Sequence, residues 1–344
     1  MFRNISSPSR NMNYCLYKLR FTTPLHAGSG ESAKSLDSSC TTLCADTLFS
    51  ALCHTALTAG GAPAVEKLCR MVDDGALSLT DTMPYCGEAL YIPKPYIKAQ
   101  KAAADEPSAE DRKAMKKLAY IPVSSLGEFF SSLRGAGRYD AKAHKTSFGE
   151  SYITTKNSIE RIDEKKNATP YSVGLFEFAE GCGLYFIAAL ENEDDTDFIT
   201  MLVERLGLGG IGGKTSSGYG KFMMADDPNI LINDDYTTGD EKILVQMLER
   251  ADAPLYISLT TSLPRDEELD AALDGASYGV SRRGGFVFSE SFTDRPVKKR
   301  TQYFLSAGSV FAYKFSGGLY SVAEDGAHPV FRYGAPVFLG ADRP

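Results

Sequence analysis

Residues 207–222 read GLGGIGGKTSSGYGKF, and seven of the first fourteen positions are glycine: Gly207, Gly209, Gly210, Gly212, Gly213, Gly218 and Gly220. Such density lets the backbone reach positive φ and clears side chains away from a ligand. Backbone N–H groups, with Lys214, Thr215, Ser216 and Ser217, would then wrap phosphates. GIGGKTS is superficially close to the phosphate loop of nucleoside triphosphatases. That loop needs Gly, four residues, then Gly-Lys-Ser/Thr, between a strand and a helix. Here Leu208 stands five positions before Gly213. The order is also reversed. Asp197–Leu206 precedes the loop, with Phe198, Leu202 and Leu206 at helical spacing, and a strand follows it. Helix–loop–strand order counts against an ATPase. A merely flexible loop is the plain alternative, but flexibility does not need one basic and three hydroxyl residues among the glycines.

Working outward, Leu184–Leu190 predicts an apolar strand, and Lys142–Phe178 predicts strand segments around a charged turn, Asp163–Asn167. Tyr14–Phe21 (YCLYKLRF) alternates, with Cys15, Tyr17, Leu19 and Phe21 on one face and a partly basic face opposite. A Gly-, Ser- and Thr-rich loop follows. Asp46 predicts an N-cap for a helix to about Ala59, ended by Gly60–Gly61. Residues 62–150 are less regular and punctuated by proline, with a polar helix at Ser108–Ala119; about 85–150 reads as an insertion. The acidic stretch 225–241 marks a domain boundary, and Glu241–Arg250 predicts a connecting helix. Beyond it come a strand at Leu255–Thr261, a short helix at Arg265–Leu273, and strands near Gly285–Ser289, Arg300–Leu305, Ser309–Phe315 and Pro336–Leu339. Strand–helix–strand order in both halves, without a βαβ series, predicts an α+β fold rather than a doubly wound sheet. The expected units are residues 13–225 and 240–344.

The 344 residues suit two domains of ordinary composition, 43% hydrophobic and 24% charged. No apolar run is read as approaching the roughly 18 residues of a membrane span. Net charge is −7, which by itself counts against nucleic acid. But eleven acids sit in two stretches without Lys or Arg, 191–197 and 226–241, and setting them aside leaves 33 acidic residues against 37 basic. Position therefore matters more than the sum. Seven scattered cysteines lack zinc spacing and predict neither a zinc site nor a disulfide framework, in a reducing cytoplasm. Residues 1–13 contain no apolar signal stretch, and Met12 is read as the natural start.

Other chemistry-bearing residues are few. His26, in TPLHAGSG (23–30), suits either a general acid/base or an RNA contact, with a purely structural hydrogen bond as the plainer alternative. Asp37 could help hold a metal in a nuclease or simply be solvated. KNSIER (156–161) offers Lys156 and Arg161 to phosphates; as a strand it would send Asn157, Ile159 and Arg161 one way. SRRGGF (281–286) sets Arg282 and Arg283 beside Gly284, Gly285 and Phe286, a bidentate phosphate grip next to a stacking ring. VKKR (297–300) adds charge, or is a solvated hairpin.

Taken in order, these pieces resemble the RAMP superfamily of CRISPR effector subunits. The parallels are TPLHAGSG after the first strand, ADTLFSAL (45–52), TKNSIER with LFEF (175–178), and GIGGKTSSGYGKF. They are most similar to the type III-A (Csm) subunit that caps the crRNA 5′ end; SRRGGF, AGSVF (307–311) and FRYGAPVFLG (331–340) resemble its second half. The resemblance implies two ferredoxin-like (RRM-like) domains with antiparallel sheets and a non-catalytic, cytoplasmic subunit without metal or cofactor. It implies binding of the repeat-derived 5′ handle of crRNA. It also implies contact with the large polymerase-like signature subunit and the repeating backbone subunit, and target RNA only indirectly. Carried over by position, Gly209 to Gly220 would hold the handle, including Tyr219 as a stacking ring. His26 and Ser29 would line the first-strand loop, and Lys156, Asn157 and Arg161 would lie near the handle–guide junction. An endoribonuclease using His26 or Asp37, and a bare protein scaffold, are the competing expectations.

Overall fold

The computed structural model describes residues 12–28, 36–97, 108–158, 169–231, 239–289, 291–324 and 326–343. Alternation builds the first strand, β1 (Asn13–Phe21): Cys15, Tyr17 and Leu19 enter one core and Leu16 a second. The expected basic face is only half exposed. Arg20 meets solvent, whereas Lys18 is drawn to Glu241 at 3.7 Å. The proposed start at Met12 depends on residues 1–11, outside the described residues.

α1 (Ala45–Asp73) begins where predicted but differs in both its cap and its end. Its N-cap is Cys44, and Asp46 sits in the first turn. Gly61, at φ 69°, kinks the helix instead of ending it, and a second arm continues to Asp73. By length and composition alone this helix is long and apolar enough to cross a membrane, contrary to the expectation that no run approaches that length. The kink leaves two arms each shorter than the ~20 residues a span needs, and Leu48, Leu52, Leu68 and Val72 face the main core.

The segment expected as an insertion is woven into the sheet. β2 (Leu77–Leu79), β3 (Met83–Cys86) and β4 (Ala89–Pro93) follow α1. α2 (Ala109–Lys117) is capped by Ser108, whose hydroxyl accepts the Asp111 N–H at 3.2 Å. β5 (Tyr120–Pro122) and α3 (Leu126–Leu133) then complete a second apolar layer with Ile92, Ile121 and Phe129. β6 (Gly149–Ser158) and β7 (Thr169–Phe178) form a long hairpin. β8 (Cys182–Leu190) is buried along its whole length. It reads as a continuous apolar run because both its faces are covered, Phe186 toward one core and Ile187 toward the other. α4 (Asp195–Gly209), β9 (Phe222–Met224) and β10 (Asn229–Leu231) close the first half. The main sheet runs β10-β1-β8-β3-β4-β5, with β2 along β8 and β9 along β1, all antiparallel. Cys86 and Cys182 face each other across β3 and β8 and are joined as a disulfide, a pairing the cysteine spacing did not suggest.

The second half holds α5 (Gly239–Leu248), β11 (Leu255–Ser258) and α6 (Leu269–Leu273). β12 (Val280–Arg283), β13 (Gln302–Leu305) and β14 (Val310–Phe311) follow, then β15 (Leu319–Ala323), β16 (Val330–Tyr333) and β17 (Phe338–Ala341). The strand expected near Gly285–Ser289 lies earlier, at β12, because two successive glycines interrupt the extended pairing; Phe286 makes only an isolated bridge to Lys298. The β15–β16 hairpin went unpredicted. β14, β11 and β17 form a sheet whose Leu255, Ile257 and Leu339 share a core with Tyr185 and Ile187 of the main sheet. Part of the acidic excess is spent internally: Asp195 pairs with Lys67 at 2.7 Å, and buried Asp240 accepts the Leu90 N–H at 2.8 Å.

Asp81 joins the halves. Its Oδ1 accepts the N–H of Ala45 at 2.8 Å and of Thr261 at 2.9 Å, and its Oδ2 accepts the Thr261 hydroxyl at 2.6 Å. Burial raises this carboxyl above the usual carboxylate range; the Thr261 hydroxyl, both N–H donors and Arg283 pull it back. A raised folded-state value means stability is lost as pH rises from the unfolded value, near 4, through the folded one. Asp81→Asn keeps an oxygen for both N–H groups and removes the buried charge. The variant's stability relative to wild type should therefore increase with pH across that window, read as urea midpoints from pH 4 to 8. A pH-independent difference would refute it.

Candidate nucleic-acid interface

α4 ends at Gly210, whose φ of 90° turns the chain out of the helix. The loop that follows is pinned to its neighbours. The N–H groups of Gly210, Gly213 and Gly220 donate to the carbonyls of Leu206 (2.7 Å), His26 (2.8 Å) and Pro24 (2.9 Å). A Cβ at Gly212 would sit 2.5 Å from the His26 carbonyl oxygen, and one at Gly220 would overlap the Ile211 carbonyl. These glycines thus admit protein backbone, and the N–H groups of Gly210, Gly213 and Gly220, expected to help wrap phosphates, are spent on the protein itself. Gly209 and Gly218 do have open space where a side chain would stand. Lys214 is held left-handed at φ 61°, the one non-glycine with positive φ among the described residues. Thr215–Ser217 form a 3₁₀ turn that exposes Ser216 and Ser217.

His26 is enclosed at 4% exposure, and its Nδ1–H donates to the Gly174 carbonyl at 2.7 Å. It supports the loop from beneath and is out of reach of a ligand on the surface, against the expectation of a contact. Asp37 is exposed, with its backbone close to Gly174. Ser29 and Arg161 lie outside the described residues.

The β6–β7 hairpin brings the missing chemistry to the loop. Lys156 is paired across the strands with Tyr171. The Lys156 ammonium lies 4.3 Å from the centre of the Tyr219 ring, and the Lys214 ammonium 4.8 Å from that of Tyr171. Two lysines and two tyrosines thus form one cluster, each cation over the other element's ring. Asn157 is exposed beside it. Tyr171 was absent from the sequence reading. Its partnership with Lys156 depends on the β6–β7 register, which neither strand's own pattern fixes.

On the second half, Arg282 is exposed opposite Tyr303, itself 62% exposed, and Phe286 is 53% exposed. Arg283 is not available to RNA. Neighbouring strand residues face opposite ways, and Arg283 turns inward to 8% exposure. There it stands 3.5 Å from Asp46 and donates to the Thr47 hydroxyl at 3.1 Å. The Gly284 carbonyl accepts from Arg332 at 2.7 Å. Loop and ribbon are carried by different elements. Among the described residues, no three His, Cys, Asp or Glu side chains gather as metal ligands. Two surface cavities of about 410 and 450 Å³ are lined by residues of neither group.

The RAMP superfamily family model matches residues 18–222, and the model for the CRISPR Csm4 C-terminal domain matches 251–341. The CRISPR system Cms protein Csm4 of Mycobacterium tuberculosis is 35% identical over 304 residues, covering 88% of this chain and 91% of that protein. Its counterpart from Streptococcus thermophilus is 28% identical over 334 residues, covering 95% and 99%. Among solved structures, the Csm3-Csm4 subcomplex of the type III-A CRISPR-Cas interference complex superposes with TM-score 0.57 at 16% identity, over 96% of this chain and 99% of the other. A Csm1-Csm4 cassette with AMPPNP gives 0.57 at 17% identity, over 97% and 99%. At such identities these structures speak for the fold, α+β with antiparallel sheets.

Proposed function

This chain belongs to the RAMP superfamily and, within it, to the Csm4 proteins, and on that premise we propose that it is the crRNA-binding subunit of a type III-A CRISPR interference complex. It holds the repeat-derived 5′ handle of crRNA and links the large signature subunit to the backbone subunits in antiviral defence. The partnership is supported by solved relatives crystallised as Csm3-Csm4 and Csm1-Csm4 pairs. The units are residues 13–225 and 240–344, a division supported by the two family matches. The observation that carries RNA binding is the interlocked Lys156–Tyr219 and Lys214–Tyr171 pairing at the glycine loop. Stacking rings with phosphate-seeking lysines suit a single strand of fixed sequence. Asn157, Gly209, Thr215, Ser216, Ser217 and Gly218 flank the cluster, and Arg282, Gly284 and Phe286 extend the RNA-facing surface on the second unit. The subunit acts without catalysis in the cytoplasm. His26, the general-base candidate, is closed off and committed to Gly174.

Tagged protein purified from crRNA-producing cells and treated with nuclease should carry RNA beginning with the handle, together with both partner subunits. Partners without RNA would identify a bare scaffold. Metal-dependent cleavage of labelled repeat RNA, abolished by Asp37→Ala, would establish the endoribonuclease instead.

A further inference from the structure

Exposed aromatic area and positive charge coincide on a surface carried by elements other than the glycine loop. Phe288 is 81% exposed and Phe286 53%. Their segment is held as a ribbon: the Val287 N–H donates to Val297 at 2.8 Å, the Lys299 N–H to Gly285 at 2.9 Å, and Phe286 bridges Lys298. His54, from α1, meets the Phe288 ring edge-on at 5.4 Å. His328 is tethered to the Ser289 hydroxyl at 2.8 Å. Lys298 is exposed and Lys299 partly so. Beneath them Arg283 and Arg332 share the carboxylate of Asp46, at 3.5 and 2.5 Å, and the Nε of each arginine has no hydrogen-bond partner. The cations feel one another. Burial, then Lys299 and His328, push the His54 imidazole down. Burial, with Arg332 and Arg283, pushes the Lys299 ammonium down against the pull of Asp46. Asp46 is shared by two arginines, so among the described residues of this patch positive charge is in excess.

We propose that this surface is a second nucleotide site, taking one unpaired RNA nucleotide with its base on Phe288 and its phosphate among His54, Lys298 and Lys299. It rests on the RNA-binding reading above and adds residues from α1 and the second unit to it. Phosphate would offset the excess of positive charge, and a base supplies a flat apolar face for a ring that the fold leaves bare. A protein covering Phe288 would have to desolvate these cations together, at a cost only matched acids could offset.

The test uses the full chain and a single-stranded oligouridylate carrying 4-thiouridine. Cross-links should form on residues 284–298 and persist in Tyr219→Ala. Phe288→Ala should abolish them, and Lys299→Gln should lower the slope of log affinity against log salt by about 0.7. Repeating the cross-link on crRNA-loaded protein identifies the source: blockage assigns the site to crRNA, and persistence assigns it to a second strand. Unlabelled mononucleotide competing as well as the oligomer would overturn a strand site. So would cross-links confined to the glycine loop with unchanged slope, or Phe288→Ala shedding a protein subunit while its RNA cross-link stays. Loss at the glycine loop alone would sink the earlier reading and leave this one standing.

Discussion

Asp46→Ala should lower the stability of the chain by about 3–5 kcal/mol, the cost of breaking a buried ion pair by removing one partner. Asp46 Oδ2 accepts from Arg332 Nη1 at 2.5 Å, and its Oδ1 accepts the Tyr333 N–H at 3.2 Å. Arg283 stands 3.5 Å away. Both arginines are nearly enclosed, at 3% and 8% exposure, so neither can turn to water when the carboxylate is lost. The loss also unties α1 from β12 and β16. The measurement is the denaturant midpoint and slope of the purified chain. Asp46→Asn should fall between, since an amide oxygen still accepts but no longer neutralises. Arg332→Met in the Asp46→Ala background should recover part of the loss, because it removes one of the stranded charges. A change below about 1 kcal/mol in Asp46→Ala, the range of an exposed pair, would show that water reaches these arginines and the lock is not buried.

Removing both rings of the glycine-loop cluster should have the largest effect on RNA. Each base–aromatic stack is worth about 1–3 kcal/mol, so Tyr171→Ala or Tyr219→Ala alone should weaken handle binding about 5- to 150-fold. The double variant should exceed either. Phenylalanine at both positions should retain most affinity, because stacking uses the ring and not the hydroxyl. The lysines act differently. Lys156→Met and Lys214→Gly should each reduce the salt slope by about 0.7, the value for one phosphate contact on a single strand. Glycine is the choice at 214 because it tolerates the left-handed backbone there. Handle affinity measured over a salt series separates the two classes. Wild-type affinity in Tyr171→Ala/Tyr219→Ala would eliminate the cluster as the RNA site.

His26 and Arg283 show where sequence reasoning stops. Each sits in a motif that suits RNA, and each is turned inward by its setting: His26 by Gly174 and the loop it supports, Arg283 by strand alternation one residue from exposed Arg282. Tyr171 and Phe288 show the converse. No motif marks either of them, and only strand register sets Tyr171 beside Lys156 and only packing sets Phe288 against His54 of α1. Strand positions were well marked wherever alternation or a full apolar run existed, as in β1 and β8. The short strands β4 and β5 carry little periodicity of their own and are held by pairing with neighbouring strands, which no local pattern announces.

The chain alone determined what depends on local pattern: the α+β class, the helix–loop–strand order that excludes a phosphate-loop enzyme, and the succession of motifs that marks the family. Such features involve residues a few positions apart, whose geometry follows from backbone periodicity and glycine conformations. Tertiary structure decided which charged groups remain available. Arg332 meets Asp46 across 286 positions, and Arg283 meets Thr47 across 236. Whether an arginine faces RNA or a buried carboxylate depends on the packing of α1 against β12 and β16, and no local spacing carries that information.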